Sequence, residues 1–292
     1  MLGGFFAAIF SGMNEHPSIV ALMKESQQGE DAEAVVRRKC RAMVVRAKGY
    51  GWSGPPFDPE ILASLNGIKV EETLESFDGE GRIFPRREEV IIQVRPGRST
   101  ERRRFTICHE LAHTVFPDVF KFIRSHGAHG ITSTEVKRFE ALCDIGAGEL
   151  LMPFEEFSAN LAVRKFCLSC VFQLKDRFHA SVEATLRRCM DLTTATAAAV
   201  FLSAVVPPSD GSLKVRWIWK SKSFRVFVRP GTASPNTTCA HSATEQPSTV
   251  FPTQRETWRV DGQSYSWLAE AIKLPAIDGA SDYPCAVVLL YP

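Results

Sequence analysis

The sequence predicts an α+β protein of more than one domain, on three observations. Residues 68–71 and 90–94 are β-branched and strand-like, whereas residues 31–48, 99–116 and 139–152 repeat apolar side chains at helical period. The last two of these helices are largely apolar yet carry ionisable residues one turn apart. From about residue 195 the chain changes character and strand-formers dominate. With 292 residues, 45% hydrophobic and 23% charged, the chain can bury a core and has room for one to three globular domains. Its net charge of +2 gives no bulk electrostatic sign of a nucleic-acid binder.

Taken in order, Met1–Gly12 is short and apolar, with no Lys or Arg before Lys24. A secretory signal needs a positive start and a membrane span about 20 apolar residues. Residues 1–30 therefore read as an N-terminal extension, a degenerate signal peptide being the alternative. Residues 31–48 read as an amphipathic helix, Ala34, Val35, Cys40, Met43 and Val44 inward. Arg37-Arg38-Lys39 with Arg41, and likewise Arg102-Arg103-Arg104, read as solvated helix faces. A short helix ends at Gly67, strands follow, and Pro96-Gly97 turns the chain into the next helix. Ser99 or Thr100 can cap that helix, and Pro117 lies beyond its end.

That helix carries His109-Glu110-Leu111-Ala112-His113. Residues four apart share a helix face, so His109 and His113 can bind one metal ion, and Glu110 can take a proton from water, the chemistry of a zinc-dependent peptidase. Phe105, Cys108, Leu111, Ala112 and Val115 make the helix mostly buried, where unpartnered imidazoles are costly. Catalytic zinc usually has three protein ligands. The apolar helix ending at Pro153 supplies Glu140 as the third, and Asp144, one turn on, can accept a ring N–H, expected from His113. Glu149 is a weaker candidate, expected at solvent or a helix end. In residues 117–135, His126 and His129 could stabilise an oxyanion, but an exposed loop is the favoured reading.

These residues resemble the ImmA/IrrE-type metallopeptidases. Arg104-Phe105-Thr106 leads into His109-Glu110 and His113, and Glu140, Cys143, Asp144, Ala147 and Leu150-Leu151-Met152-Pro153 fall at matching offsets in a second motif. Asp144 stands where Asn is more usual, and Gly146 replaces an aromatic, which is expected to leave a packing gap. Gly51–Pro59 also resembles a family segment. The resemblance covers roughly residues 50–160. It implies a zincin-like metallopeptidase domain holding Zn²⁺ (or another divalent ion such as Mn²⁺), and limited proteolysis of a DNA-binding repressor that switches on stress-response or mobile-element genes. In zincin-like folds a sheet edge beside the active helix binds extended substrate, and residues 82–94 are expected to help build it.

Residues 154–190 read as helical. Val171–Cys189 resembles a helix-turn-helix with Ser181 capping its second helix. It has few base-reading side chains, so nucleic acid is an unfavoured partner. Beyond it, Ala197–Val206, Lys214–Lys220, Phe224–Val228 and Cys285–Tyr291 read as strands, residues 230–254 as a loop and Ser264–Lys273 as a helix. Members of the family the chain resembles carry a GAF-type sensor domain here, and the resemblance implies that the C-terminal part is a small, GAF-like α+β domain. The expected domains are 31–160 (metallopeptidase), 161–194 (helix-turn-helix-like) and 195–292 (C-terminal). Eight irregularly spaced cysteines suit a reducing, cytoplasmic setting. Cys167-Leu168-Ser169-Cys170 lacks the second pair of a structural zinc site, and a redox role is its minority reading. The rival to the peptidase is a non-catalytic, metal-containing DNA-binding regulator.

Overall fold

The computed structural model describes residues 15–122, 133–204, 213–235, 239–245, 253–274 and 285–292. Met1–Asn14 and the His126–His129 loop lie outside the described residues. The chain divides into two compact units: residues up to Phe154 with Phe178–Ala180, and Glu155–Arg177 with Ser181–Pro292. The α+β expectation holds, and no described helix is long and apolar enough to cross a membrane.

The first unit contains α1 (Pro17–Met23), α2 (Ala32–Gly49), α3 (Pro59–Leu65), β1 (Ile68–Glu72), β2 (Gly81–Arg86), β3 (Glu89–Val94), α4 (Thr100–His113), α5 (Val119–Phe122) and α6 (Ser133–Leu151). Side-chain caps start three of these helices, and the cap at Ser99 is one of the two positions expected from the sequence. Asp31 accepts from the N–H of Ala34, Asp58 from those of Glu60 and Ile61, and Ser99 from that of Arg102; each such cap contributes about 1 kcal/mol. In the sheet β3 is central, parallel to β1 and antiparallel to β2, so β2 is an edge. Its position explains the near-continuous apolar run of β3: Ile91, Ile92 and Val94 are all buried.

Helix α4 packs against β2 and β3 and against α6, whose other side meets α2. Gly146 lies where the three helices converge. A Cβ there would stand 2.7 Å from the Ala112 Cβ, 3.1 Å from Cys40 Sγ and 3.3 Å from Val36 Cγ1. The expected gap is therefore absent: the missing side chain is what lets α4 and α2 approach α6. Glu149 also departs from expectation. It is fully buried and accepts hydrogen bonds from Arg37 Nη1 at 2.8 Å and from Arg41 Nε and Nη2 at 3.1 Å. Two arginines of the expected solvated face thus turn inward to clamp α2 onto α6.

The second unit takes up α7 (Phe154–Ala162) from Glu155 on and most of α8 (Leu168–Phe178), and holds α9 (Val182–Leu192), β4 (Ala198–Ala204), β5 (Leu213–Lys220), α10 (Cys239–Glu245), β6 (Gln254–Val260), β7 (Gln263–Lys273) and β8 (Ala286–Tyr291). Its strands form one antiparallel sheet in the order β5-β4-β8-β7-β6. One face buries Val200, Leu202, Trp258, Trp267, Val288 and Leu290 under α10. On the other, α9 packs against β4 and β5. Two buried carboxylates fasten helix starts to this sheet: Glu256 accepts from the Cys239 N–H at 2.8 Å, and Glu270 from the Leu168 N–H at 2.7 Å.

Three local expectations fail here. Residues 230–254, expected as a loop, include α10, whose start is held by Glu256 accepting from the Cys239 N–H. Ser264–Lys273 is strand rather than helix, because Asp261 and Gly262, at φ +49° and +80°, turn β6 directly back into β7. Phe224–Val228 is not a strand, because the free edge of β5 is instead taken by Gly231, Thr232 and Ser234, which exchange backbone bonds with Val215 and Leu213.

Candidate metal centre

The last two turns of α4 are buried almost all round, from Thr106 to His113. They present His109 and His113 toward α6, the imidazole centroids 5.0 Å apart. From α6, Glu140 Oε2 lies 3.0 Å from His109 Nε2 and 3.8 Å from His113 Nε2. Ligand atoms of His109, His113 and Glu140 all fall within 4.8 Å of one another, the one such group among the described residues that could hold a metal ion. Both Nε2 atoms face the same carboxylate, so the Nδ1 atoms are left to be oriented from behind.

The orienting partners differ from the expected arrangement. Asp144 Oδ1 lies 3.0 Å from His109 Nδ1, not from His113. His113 Nδ1 meets Cys143 Sγ at 3.4 Å and its ring packs on Phe139. The two imidazoles are therefore buttressed unequally, one by a carboxylate and one by a thiol. The thiol is a weak acceptor, and burial pushes the Cys143 pKa well up, which keeps it protonated.

Glu110 is buried beside the group, its carboxylate held by the backbone N–H of Ile83 in β2. The close approach depends on Gly81, where a Cβ would stand 2.5 Å from Thr106 Cγ2 and 3.0 Å from Glu110 Oε1. Glu149 plays no part in the group, being tied to Arg37 and Arg41.

The electrostatics of the centre call for a cation. Burial disfavours an imidazolium at His109, yet hydrogen bonds to Asp144 and Glu140 and the charges of Glu110 and Asp144 outweigh it and push the group up to about 10. Burial likewise raises Glu110 to about 7, helped by the charge of Glu140 and opposed by those of His109 and the Ile83 N–H. Glu140 is held below its ordinary value: burial raises it, but the His109 hydrogen bond and the charges of both histidines prevail. Three carboxylates converging on the His109 and His113 imidazoles thus hold a proton on His109 far above its normal range. A divalent ion bound through the Nε2 atoms can take that proton's place, and two imidazoles with one carboxylate form a donor set suited to zinc.

The sequence spacing pointed to His109, Glu110, His113, Glu140 and Asp144. It missed Gly81 and Cys143. A glycine at the start of a strand signals close backbone approach, and Cys143, next to Asp144 on an apolar helix, read only as a core residue.

Residues 64–190 match the family of IrrE N-terminal-like domains, a peptidase family, so the match spans both helices of the metal group and continues into α9. No curated protein matches the chain in sequence. Among solved structures, a Mycobacterium tuberculosis transcriptional regulator is similar, at 19% identity over 87% of this chain and 86% of that chain, with a TM-score of 0.56. That likeness is one of fold.

Proposed function

We propose that this chain, whose residues 64–190 match the IrrE N-terminal-like domain family, is a zinc-dependent endopeptidase making a limited cut in a protein substrate. The observation that carries the reading is the convergence of His109, His113 and Glu140 within 4.8 Å, with Glu110 buried next to them on the same helix. A divalent ion held by the three side chains, Zn²⁺ or alternatively Mn²⁺, supplies Lewis acidity toward a peptide carbonyl and its attacking water. Glu110 takes the proton from that water and passes it to the leaving amine. Asp144 and Cys143 hold the two imidazoles in register. Because β2 is a sheet edge that also holds Glu110, a substrate segment added as an extended strand along it lies beside the base.

The substrate we infer is a DNA-binding repressor, cut in the cytoplasm so that stress-response or mobile-element genes are expressed. The test is incubation with a purified repressor from a neighbouring gene. One new cleavage site, lost with chelator and lost in Glu110→Gln at undiminished metal content, is expected. The base is worth about 10²–10⁴-fold in rate, so cleavage by Glu110→Gln at the normal rate overturns the assignment.

A second reading, a non-catalytic DNA-binding regulator with a structural metal, is favoured by the name of the Mycobacterium tuberculosis relative and by the helix pair α8–α9. Against it, Leu186, Cys189, Met190 and Arg188 of α9 are buried, which leaves little of that helix for a groove. Specific DNA binding that persists in Glu110→Gln, with no cleavage by the wild type, would establish it.

A further inference from the structure

The C-x-x-C segment belongs to the second unit, the metal group to the first. Cys167 caps the start of α8, its carbonyl accepting the N–H of Val171 at 3.2 Å, and it is partly accessible. Cys170, in the first turn, is buried, and its thiol sits beside the backbone N–H of Cys167. Cys189 of α9 lies behind Cys170 and is fully buried. Side chains three apart at a helix start have Cβ atoms about 5–6 Å apart, and a disulfide needs about 3.5–4.5 Å. Cys167 stands ahead of the first helical residue, so the link requires a local turn of that residue toward Cys170. The pair brackets Leu168, whose N–H is held by Glu270, and Glu270 also accepts from Tyr291 at 2.7 Å and Thr253 at 2.9 Å. The cap is therefore fixed to the sheet on one side and open to solvent at Cys167 on the other.

We propose that Cys167 and Cys170 form a reversible dithiol–disulfide site that reacts with low-molecular-weight disulfides. The accessible Cys167 attacks one sulfur of the small disulfide, giving a mixed disulfide and releasing one thiol. Cys170 then attacks Cys167 Sγ, and the second small thiol leaves. Two protein thiols are oxidised, one small disulfide is reduced, and the two protein protons end on the released thiols. Burial raises the Cys170 pKa, so its attack follows rather than starts the sequence. Cys189 has no route to solvent and takes no part.

The test uses the full chain equilibrated in mixtures of reduced and oxidised glutathione, quenched with acid, and alkylated after denaturation. As the oxidised fraction rises, alkylatable thiols are expected to fall from eight to six, with peptide mapping placing the link between Cys167 and Cys170, and to return to eight on reduction. Cys167→Ser and Cys170→Ser should abolish the link, and Cys189→Ser should keep it. Eight free thiols throughout, a link between Cys170 and Cys189, or a lasting glutathione adduct on Cys167 with Cys170 free would each overturn the proposal. None of these outcomes depends on peptidase activity.

Discussion

The two imidazoles of the metal group are held by partners of unequal strength, and this asymmetry is measurable. A carboxylate behind a ligand histidine fixes the ring and raises its basicity, and losing such a partner typically costs about 10–100-fold in metal affinity. Asp144→Ala should therefore weaken zinc binding by about that range, read by competition with a chromophoric chelator. Cys143→Ala removes only a weak acceptor from His113 and should cost less; a larger loss for Cys143→Ala than for Asp144→Ala would contradict the observed pairing. The residues that converge as a candidate metal group were legible in the sequence because their spacing reports a shared face within each helix. Which histidine Asp144 serves was not, because that depends on the register between α4 and α6, and intrahelical spacing carries no information on it.

That register is set by glycine. Gly146→Ala places a methyl 2.7 Å from Ala112 Cβ, at a point enclosed by α2 and α4. The helices must move apart, and overpacking of this kind costs about 1–3 kcal/mol. A urea titration should show that loss with an unchanged denaturant slope; an unchanged midpoint would mean the helices are not in close contact there. Gly81→Ala acts differently, since its methyl meets Thr106 and Glu110 rather than the ligands. It should lower the cleavage rate while leaving metal content intact, and full activity would show that the approach of β2 does not position Glu110. The sequence hid the role of Gly146 because a missing side chain reads equally as a void or as a contact point. It misled at Ser264–Lys273 for a related reason. Leu268, Ala271 and Ile272 fit a helical face, while Trp267, Ala269 and Ala271 fit an alternating strand. Asp261-Gly262 decides between them, and the turn it makes outweighs the helical spacing.

For the whole molecule, the charge of the metal group ties folding to pH. In the metal-free chain His109 is raised from 6.5 to about 10, so the folded state binds a proton that the unfolded state releases. The resulting stability is fully present below about 6.5 and is lost as pH rises through about 10. Glu110, raised to about 7, acts in the same direction over a lower window, its contribution lost as pH rises from 4.5 through 7. Metal-free protein should therefore show a falling Tm between about pH 6.5 and pH 10, equivalent to a few kcal/mol at roughly 1.4 kcal/mol per pKa unit. A bound divalent ion takes over the role of that proton, and ligand binding to the folded state adds stability as RT ln(1 + [L]/Kd). Because ion and proton compete for His109, the rise in Tm on adding zinc should grow with pH. Differential scanning calorimetry of the chelated and zinc-loaded chain, with His109→Gln as the control that removes the slope, separates this site from the remaining titratable groups. A metal-free Tm that is flat or rising across that window, or a slope retained in His109→Gln, would show that the carboxylates do not hold a proton on His109, and the case for a cation in its place would fail with it.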